Sequence, residues 1–411
     1  MATSSTSRGN GVGMGLARRT LGICLLLVVV VLWTASNFLA STIFADNTYS
    51  KPFFLTYINT SFFVLPLFSI ILSRLWGLWS AGKLSQINSF RSLLNHLDSP
   101  DPKAEERRIL DETTLHGDDT EDEFEDDDSS QRRSHSNSES PRLGLLATAK
   151  LSFQFCMLWF LANYFAMACL QYTTVGSTTI LTSTSGVWTL IFGAFIGVEK
   201  FTVRKFLGVI ASLVGIILIS RLDVSKTDSS DGGTFPEKSS GEIALGDSMA
   251  AFSAIMYGVY TIVMKKQVGD ESRVNMQLFF GLVGLFNVFL LWPGFVVLHL
   301  TGIESFQLPG TKRVWVIILV NSLTSLVSDI CWAYSMLLTT PLVVTVGLSL
   351  TIPLSLVGQI ILQAQYASAW YWVGATIVFL SFLVVNHESR EAQPETYDSV
   401  PPVEEADPVA R

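Results

Sequence analysis

GSTTILTSTSGVWTLIFGAFIGV, residues Gly176–Val198, is the stretch on which the fold turns. None of its residues carries a charge. At about 1.5 Å rise per residue, a helix of about 20 such residues crosses a hydrocarbon core about 30 Å thick. A helix without a polar face is built for a membrane or a deep core, not for water. It is bounded by the Thr-rich turn Tyr172–Val175 on one side and by Glu199 and Lys200 on the other. Working outward, apolar runs between charged or turn-rich breaks recur at Leu21–Phe44, Pro52–Leu72, Ala147–Gln171, Phe201–Ser220, Leu245–Met264, Met276–His299, Val314–Leu337, Pro341–Leu362 and Ala369–Asn386. With the opening stretch they make ten expected spans. The fold class expected is therefore an all-α membrane protein with ten transmembrane helices, embedded in a lipid bilayer.

Composition agrees. The 411 residues are 49% hydrophobic and 15% charged, with mean hydropathy +0.41, against about 25% charged in soluble domains. The formal charge of -8 is local, because residues Arg74–Leu146 hold 16 acids and 9 bases. Nine acids fall between Asp118 and Asp128, and a Ser/Arg-rich run follows to Arg142. Such a segment cannot bury apolar surface and is expected to be a disordered cytosolic loop. Ser136, three residues after Arg133, and Ser140, before Pro141, are its phosphorylation candidates. All four cysteines lie in apolar runs and read as small hydrophobic fillers.

Lys and Arg are retained on the cytosolic side, so their distribution orients the spans. With the N-terminus inside, only Lys51, Arg221, Lys226, Lys238, Lys312 and Arg313 fall outside. Both termini are expected in the cytosol. The first apolar run is too long for a signal-peptide core of about 7–15 residues and is read as a retained span.

An offset of 166 residues superposes Thr173, Thr174, Thr179, Ser183, Leu190 and Gly208 on Thr339, Thr340, Thr345, Ser349, Leu356 and Gly374. The identities are few, but each half ends alike: a span, a Thr-Thr turn, a Gly/Ser/Thr-rich span, a short polar break and a last apolar span. Five spans per half is an odd number, so the second half would insert upside down relative to the first. The expected organisation is a cytosolic tail (1–19), a first repeat (20–220) interrupted by the acidic loop (74–146), a lumenal connector (221–244), a second repeat (245–386) and a disordered cytosolic tail (387–411).

On these residues the chain resembles the drug/metabolite transporter superfamily with two EamA-type repeats. Leu158-Trp-Phe-Leu-Ala-Asn-Tyr-Phe-Ala-Met-Ala, Tyr172-Thr-Thr and Thr179-Ile-Leu-Thr-Ser-Thr-Ser-Gly186 are similar to the F-type branch of the nucleotide-sugar-transporter-like solute carriers. Fungal members of that branch are described as vacuolar-membrane or thiamine-repressible transporter-like proteins. The resemblance covers about residues 20–386 and implies two inverted five-helix repeats around a central cavity. The G-A-L-N-K and F-Y-N-N motifs of nucleotide-sugar relatives do not occur here.

A carboxylate inside a span is costly, so Asp329, well inside the eighth, is the first candidate for substrate binding or coupling. It could bind a cationic solute, carry a coupling proton or bond a neighbouring helix. At the 166-residue offset Asp329 falls on Asn163. Asn37, Asn59, Ser183, Thr184 and Ser349 are further cavity candidates, each with a reading as helix-packing or backbone-bonding residues instead. Trp159, Tyr164 and Trp332 lie within a turn or two of Asn163 and Asp329 and could form stacking or cation–π walls. Pro66 and Pro353 sit inside spans, where each removes a backbone hydrogen bond. No G-x-x-x-x-G-K-[ST] loop and no metal-like His pair is present, so no enzyme, cofactor, metal or nucleic-acid partner is expected. Three functions stay open: a secondary transporter or exchanger of a small-molecule solute by alternating access, on the vacuolar or another endomembrane with protons as candidate coupling ions; a Golgi nucleotide-sugar antiporter; and a non-transporting scaffold acting through the acidic loop. The sequence is silent on oligomeric state.

Overall fold

The computed structural model describes residues 6–44, 51–80, 143–173, 175–230, 239–269, 273–363 and 369–391. Residues 81–142 of the acidic loop, with Ser136 and Ser140, and residues 392–411 of the C-terminal tail lie outside the described residues. Every element among the described residues is helical: α1 (Thr6–Phe44), α2 (Pro52–Ser61), α3 (Leu65–Ser80), α4 (Leu145–Ala168), α5 (Val175–Ser183), α6 (Ser185–Ile196), α7 (Val203–Ser230), α8 (Ser240–Val268), α9 (Met276–Leu291), α10 (Pro293–Leu300), α11 (Lys312–Leu338), α12 (Pro341–Leu348), α13 (Thr351–Gln363) and α14 (Ala369–Glu391). Eight helical stretches are long and apolar enough to cross a bilayer. The α9–α10 pair, bent by 41°, brings the number to nine, and Pro341–Ser355 is apolar but shorter.

Three of the breaks within apolar runs have a proline cause. A helical proline lacks its N–H and its ring collides with the carbonyl four residues earlier. Pro66 accordingly follows the 3-10 turn Phe62–Val64 that separates α2 from α3. Pro293 opens α10 at the bend. Pro353 follows the interruption at Ser349–Leu350, where the backbone bonds shorten to Ser349 N to Val346 O and Leu350 N to Gly347 O. Helices also end at Tyr172–Thr173 and at Thr339–Thr340. Cys169–Gln171 tightens to a 3-10 turn before α5, and Thr340 caps α12, its hydroxyl accepting from Val343 N with Pro341 in the first turn.

The chain forms two compact units, residues 1–52, 161–266 and 331–411 in one and 53–160 and 267–330 in the other. In the first unit, α7 and α14 pack through glycine. A Cβ on Gly215 would lie 2.9 Å from Gly374 O, and one on Gly374 would lie 3.0 Å from Gly215 O and 2.7 Å from Ile219 Cγ1. Without a hydrophobic drive between helices in lipid, small residues that let backbones touch are what holds such a pair. Gly22 and Gly347 do the same for α1, facing Thr339 and Leu26.

The second unit is held by aromatics. Phe53 stands edge-on to Phe160 and Phe295, with ring centres 5.2 and 4.8 Å away, and Phe63, Phe155, Trp159 and Phe280 form a second cluster. Gly281 and Gly284 press α9 against Leu67 and the Val64 backbone at the 3-10 turn. There, buried Asn287 donates to Tyr57 O (3.0 Å) and Ser61 Oγ (2.9 Å), which satisfies a carbonyl beside the break.

Candidate functional site

Two apolar runs of the first unit are each broken near their middle, α5/α6 at Thr184 and α12/α13 at Ser349–Leu350. The second break has Pro353 behind it. At the first, hydroxyls compete for helix carbonyls: Thr182 Oγ1 donates to Thr178 O (2.8 Å), Ser183 Oγ to Thr179 O (2.6 Å) and Thr184 Oγ1 to Leu181 O (2.6 Å). Thr351 Oγ1 likewise donates to Leu348 O at 2.7 Å. The two broken runs cross where Thr189 and Thr345, both buried, bring their hydroxyls to 3.4 Å. Ser183, Thr184 and Ser349 thus lie at helix breaks and are half-buried.

Carboxylates hold the starts of α5 and α12. Asp247 Oδ1, on α8, accepts from Thr173 Oγ1 and Ser177 Oγ, both at 2.6 Å. At α12, Glu199 Oε1 accepts from Leu342 N at 3.3 Å. Its Oε2 takes the Lys205 ammonium at 2.8 Å, and the two side chains are 2% and 1% exposed. Gly197 makes that geometry reachable. It ends α6 in the left-handed region (φ 79°), which lets Val198 N and Glu199 N return to Gly193 O and folds Glu199 back against Gly193. Nearby, Lys265 Nζ donates to the carbonyls of Met336, Leu337 and Thr339 at the end of α11, a cation on the negative end of a helix. Arg19 donates to the carbonyl and side-chain oxygens of Asn386 (2.6 and 2.8 Å), and Arg204 pairs with Glu388 (2.9 Å). None of these partners is adjacent in sequence, so spacing alone gave no signal for them. The Gly193-x-x-x-Gly197-x-Glu199 pattern was the readable trace.

Among the sequence candidates, Asp329 is 4% exposed on α11, in the second unit. Asn163 is half-buried on α4, in the first. Asn59 Oδ1 accepts from buried Ser322 Oγ at 2.5 Å, a bond between α2 and α11. Trp332 is fully buried, donates to Tyr257 Oη at 3.2 Å and lies among Tyr257 and Tyr260, two rings the sequence reading overlooked. Trp159 belongs to the aromatic core of the second unit, and Tyr164 meets Phe165 edge-on. Asn37 is on α1, and its side chain lies outside the described residues. His387, Glu388 and Glu391 come within 4.8 Å of one another, but Glu388 is already held by Arg204.

Several apolar helical spans, two of them broken near their middles with carboxylates at their starts, are the build of a solute-carrying membrane protein. Comparison with known proteins narrows the class. Residues 135–221 match the EamA-like transporter family, and residues 18–74 match a family of unknown function. An uncharacterized vacuolar membrane protein of Saccharomyces cerevisiae is 40% identical over 91% of this chain and 92% of its own length. The thiamine-repressible mitochondrial transport protein of the same yeast is 35% identical over 90% and 93%. Solute carrier family 35 member F5 of Mus musculus is 34% identical over 90% of this chain and 77% of its own. A solved structure, described only as the crystal structure of a protein, superposes with TM-score 0.52 at 11% identity, over 91% of this chain and 99% of that one, a likeness of fold alone. The chain belongs to the EamA-like, solute carrier 35 F-type family of drug/metabolite transporters.

Proposed function

We propose that the protein is a secondary active transporter or exchanger of a small organic metabolite, working by alternating access across an endomembrane. The observation that carries this reading is the pair of broken runs. Their interruptions, at Thr184 and Ser349–Leu350, fall at matching positions under the 166-residue offset. Interrupted helices in corresponding positions of two halves mark transporter binding regions, because backbone away from regular helix is tolerated at that depth only where protein or a cavity receives it. The carboxylates repeat the exchange: Asp247 of the second half holds the start of α5 in the first, and Glu199 of the first half holds the start of α12 in the second.

The partners also group by side. Thr173 and Asp247 both fall on the expected lumenal side. Glu199, Lys205, Lys265 and the turn Thr339–Leu342 all fall on the expected cytosolic side. That grouping supports ten spans in two inverted five-helix repeats with both termini on one side, which the Lys and Arg distribution makes the cytosolic one. In this reading Asp329 and Asn163 are the polar positions that each half offers, and the vacuolar membrane of the yeast relative is the favoured location. A zebrafish (Danio rerio) transporter of UDP-xylose and UDP-N-acetylglucosamine is 26% identical over half of this chain. Carriage of such a diphosphate would call for a free buried cation. The buried Lys205 is committed to Glu199, which favours a solute other than a nucleotide sugar.

The test is saturable uptake by the purified protein in liposomes, with and without a pH gradient, across cationic, neutral and nucleotide-sugar probes. Saturable, trans-stimulated flux of any one probe supports a carrier. Folded protein that moves none of them, with function lost on deleting residues 98–140, would replace the carrier with the scaffold.

A further inference from the structure

Five charged side chains are buried among the described residues: Glu199, Lys205, Glu304, Asp329 and Glu388. Four have their charge answered. Glu199 and Lys205 pair with each other, Glu388 pairs with Arg204, and the Glu304 carboxylate accepts from Phe53 N (2.9 Å) and Phe54 N (3.2 Å) at the start of α2. The Asp329 carboxylate has no hydrogen bond or ion pair with any described residue. The other titratable groups described in its own unit do not supply one. Tyr57 on α2 donates to Val288 O, Arg273 is turned to Val268 O, Cys156 on α4 is a buried thiol, and Lys150 and His299 are exposed near the helix ends. Along α11 the nearest bases, Lys312 and Arg313, are about four turns away at the other end of the helix.

A bare carboxylate at membrane depth costs several kcal/mol, and the same site becomes inexpensive once a positive charge sits on it. Either a proton or a cation from solution can supply that charge, and one carboxylate has room for one of them at a time. Resting on the transporter reading above, we infer that the transported solute is an organic cation and that it exchanges for a proton at Asp329. Loading the cation releases the carboxyl proton to the same side. Releasing the cation leaves a carboxylate that takes a proton before the empty carrier returns. Charge balances at each stage, and an anionic solute would add to the uncompensated charge.

Detergent-purified full-length protein is titrated with tetraethylammonium and with spermidine across pH, and proteoliposomes carrying a pH-sensitive dye are assayed with the same probes, mannitol and a UDP-sugar. Three forms are compared: wild type, Asp329→Asn and Asp329→Glu. Competition with one proton makes the apparent Kd of the monovalent cation rise about tenfold per unit fall in pH on the acid side of the carboxyl titration. Proton release should accompany its uptake. Asp329→Asn should lose both the pH slope and at least tenfold in cation affinity while staying monodisperse, and Asp329→Glu should keep both with a displaced pH profile. Cation flux that is unchanged in Asp329→Asn overturns the inference. So does mannitol or UDP-sugar flux with none for the cations, and that result leaves the transporter reading standing. Folded wild type that binds and moves no probe overturns both.

Discussion

Replacing Glu199 by Ala strands Lys205, whose side chain is 1% exposed and whose ammonium is held 2.8 Å from Glu199 Oε2. The same change removes the acceptor of Leu342 N at the start of α12. Leaving one charge of a buried pair unpartnered costs about 3–5 kcal/mol, and an orphaned buried N–H adds about 1–3 kcal/mol. The larger effect is the charge. Lys205→Met should cost less, because the remaining carboxylate keeps Leu342 N and the positive end of α12, worth roughly 0.3–1 kcal/mol. Glu199→Met with Lys205→Met should recover most of the loss, since a buried pair replaced together by apolar side chains is often neutral. Reversible unfolding in mixed micelles of rising SDS fraction measures these forms together with Glu199→Met alone, which closes the cycle and gives the coupling. Glu199→Ala within 1 kcal/mol of wild type, or a double variant no better than the single one, would refute a dry, mutually dependent pair.

Three other substitutions test the packing and the helix ends. Gly215→Val places atoms where Gly374 O and Val378 Cγ2 already stand 2.9 Å from the first added carbon. It should cost about 1–3 kcal/mol or more, seen as earlier unfolding and exposure of a cysteine introduced on α14. Glu304→Ala leaves Phe53 N and Phe54 N without their acceptor. A loss of about 2 kcal/mol with faster hydrogen exchange confined to the first turn of α2 is expected, and Glu304→Gln should restore most of it. Thr345→Val removes the contact with Thr189, and its double-mutant cycle with Thr189→Val should give about 0.6 kcal/mol, the usual size of such a bond in a membrane.

Membrane helices are legible in sequence because lipid obliges each crossing to satisfy its own backbone and to hide no charge, so length and hydropathy speak for each segment separately. Gly176–Val198, Leu245–Met264 and the tail-end run Ala369–Asn386 were readable on that ground, as were the breaks at Pro66 and Pro353, where the obstruction is covalent. The Thr-Thr turns were readable as stops, and Thr340 with Pro341 shows why: a hydroxyl cap followed by a residue with no N–H to satisfy. The hydroxyl run Thr182–Ser185 left two readings open, and its bonds to Thr178 O, Thr179 O and Leu181 O are those of the backbone-bonding one.

What the sequence by itself determined is the class: a helical membrane protein of roughly known spans, with one acid too deep to ignore. Only the tertiary structure decided which polar groups answer one another. Glu199 and Lys205 stood near the ends of runs and read as membrane-side charges, yet the left-handed Gly197 turn carries the carboxylate inward to a helix start more than a hundred residues away. Asp247 found its donors on the α5 side of the bundle, Trp332 its Tyr257, and Asn59 its Ser322. Spacing along a chain records what one helix needs from lipid. A hydrogen bond between helices depends on how they cross, and that is set by where glycines such as Gly215 and Gly374 let backbones meet.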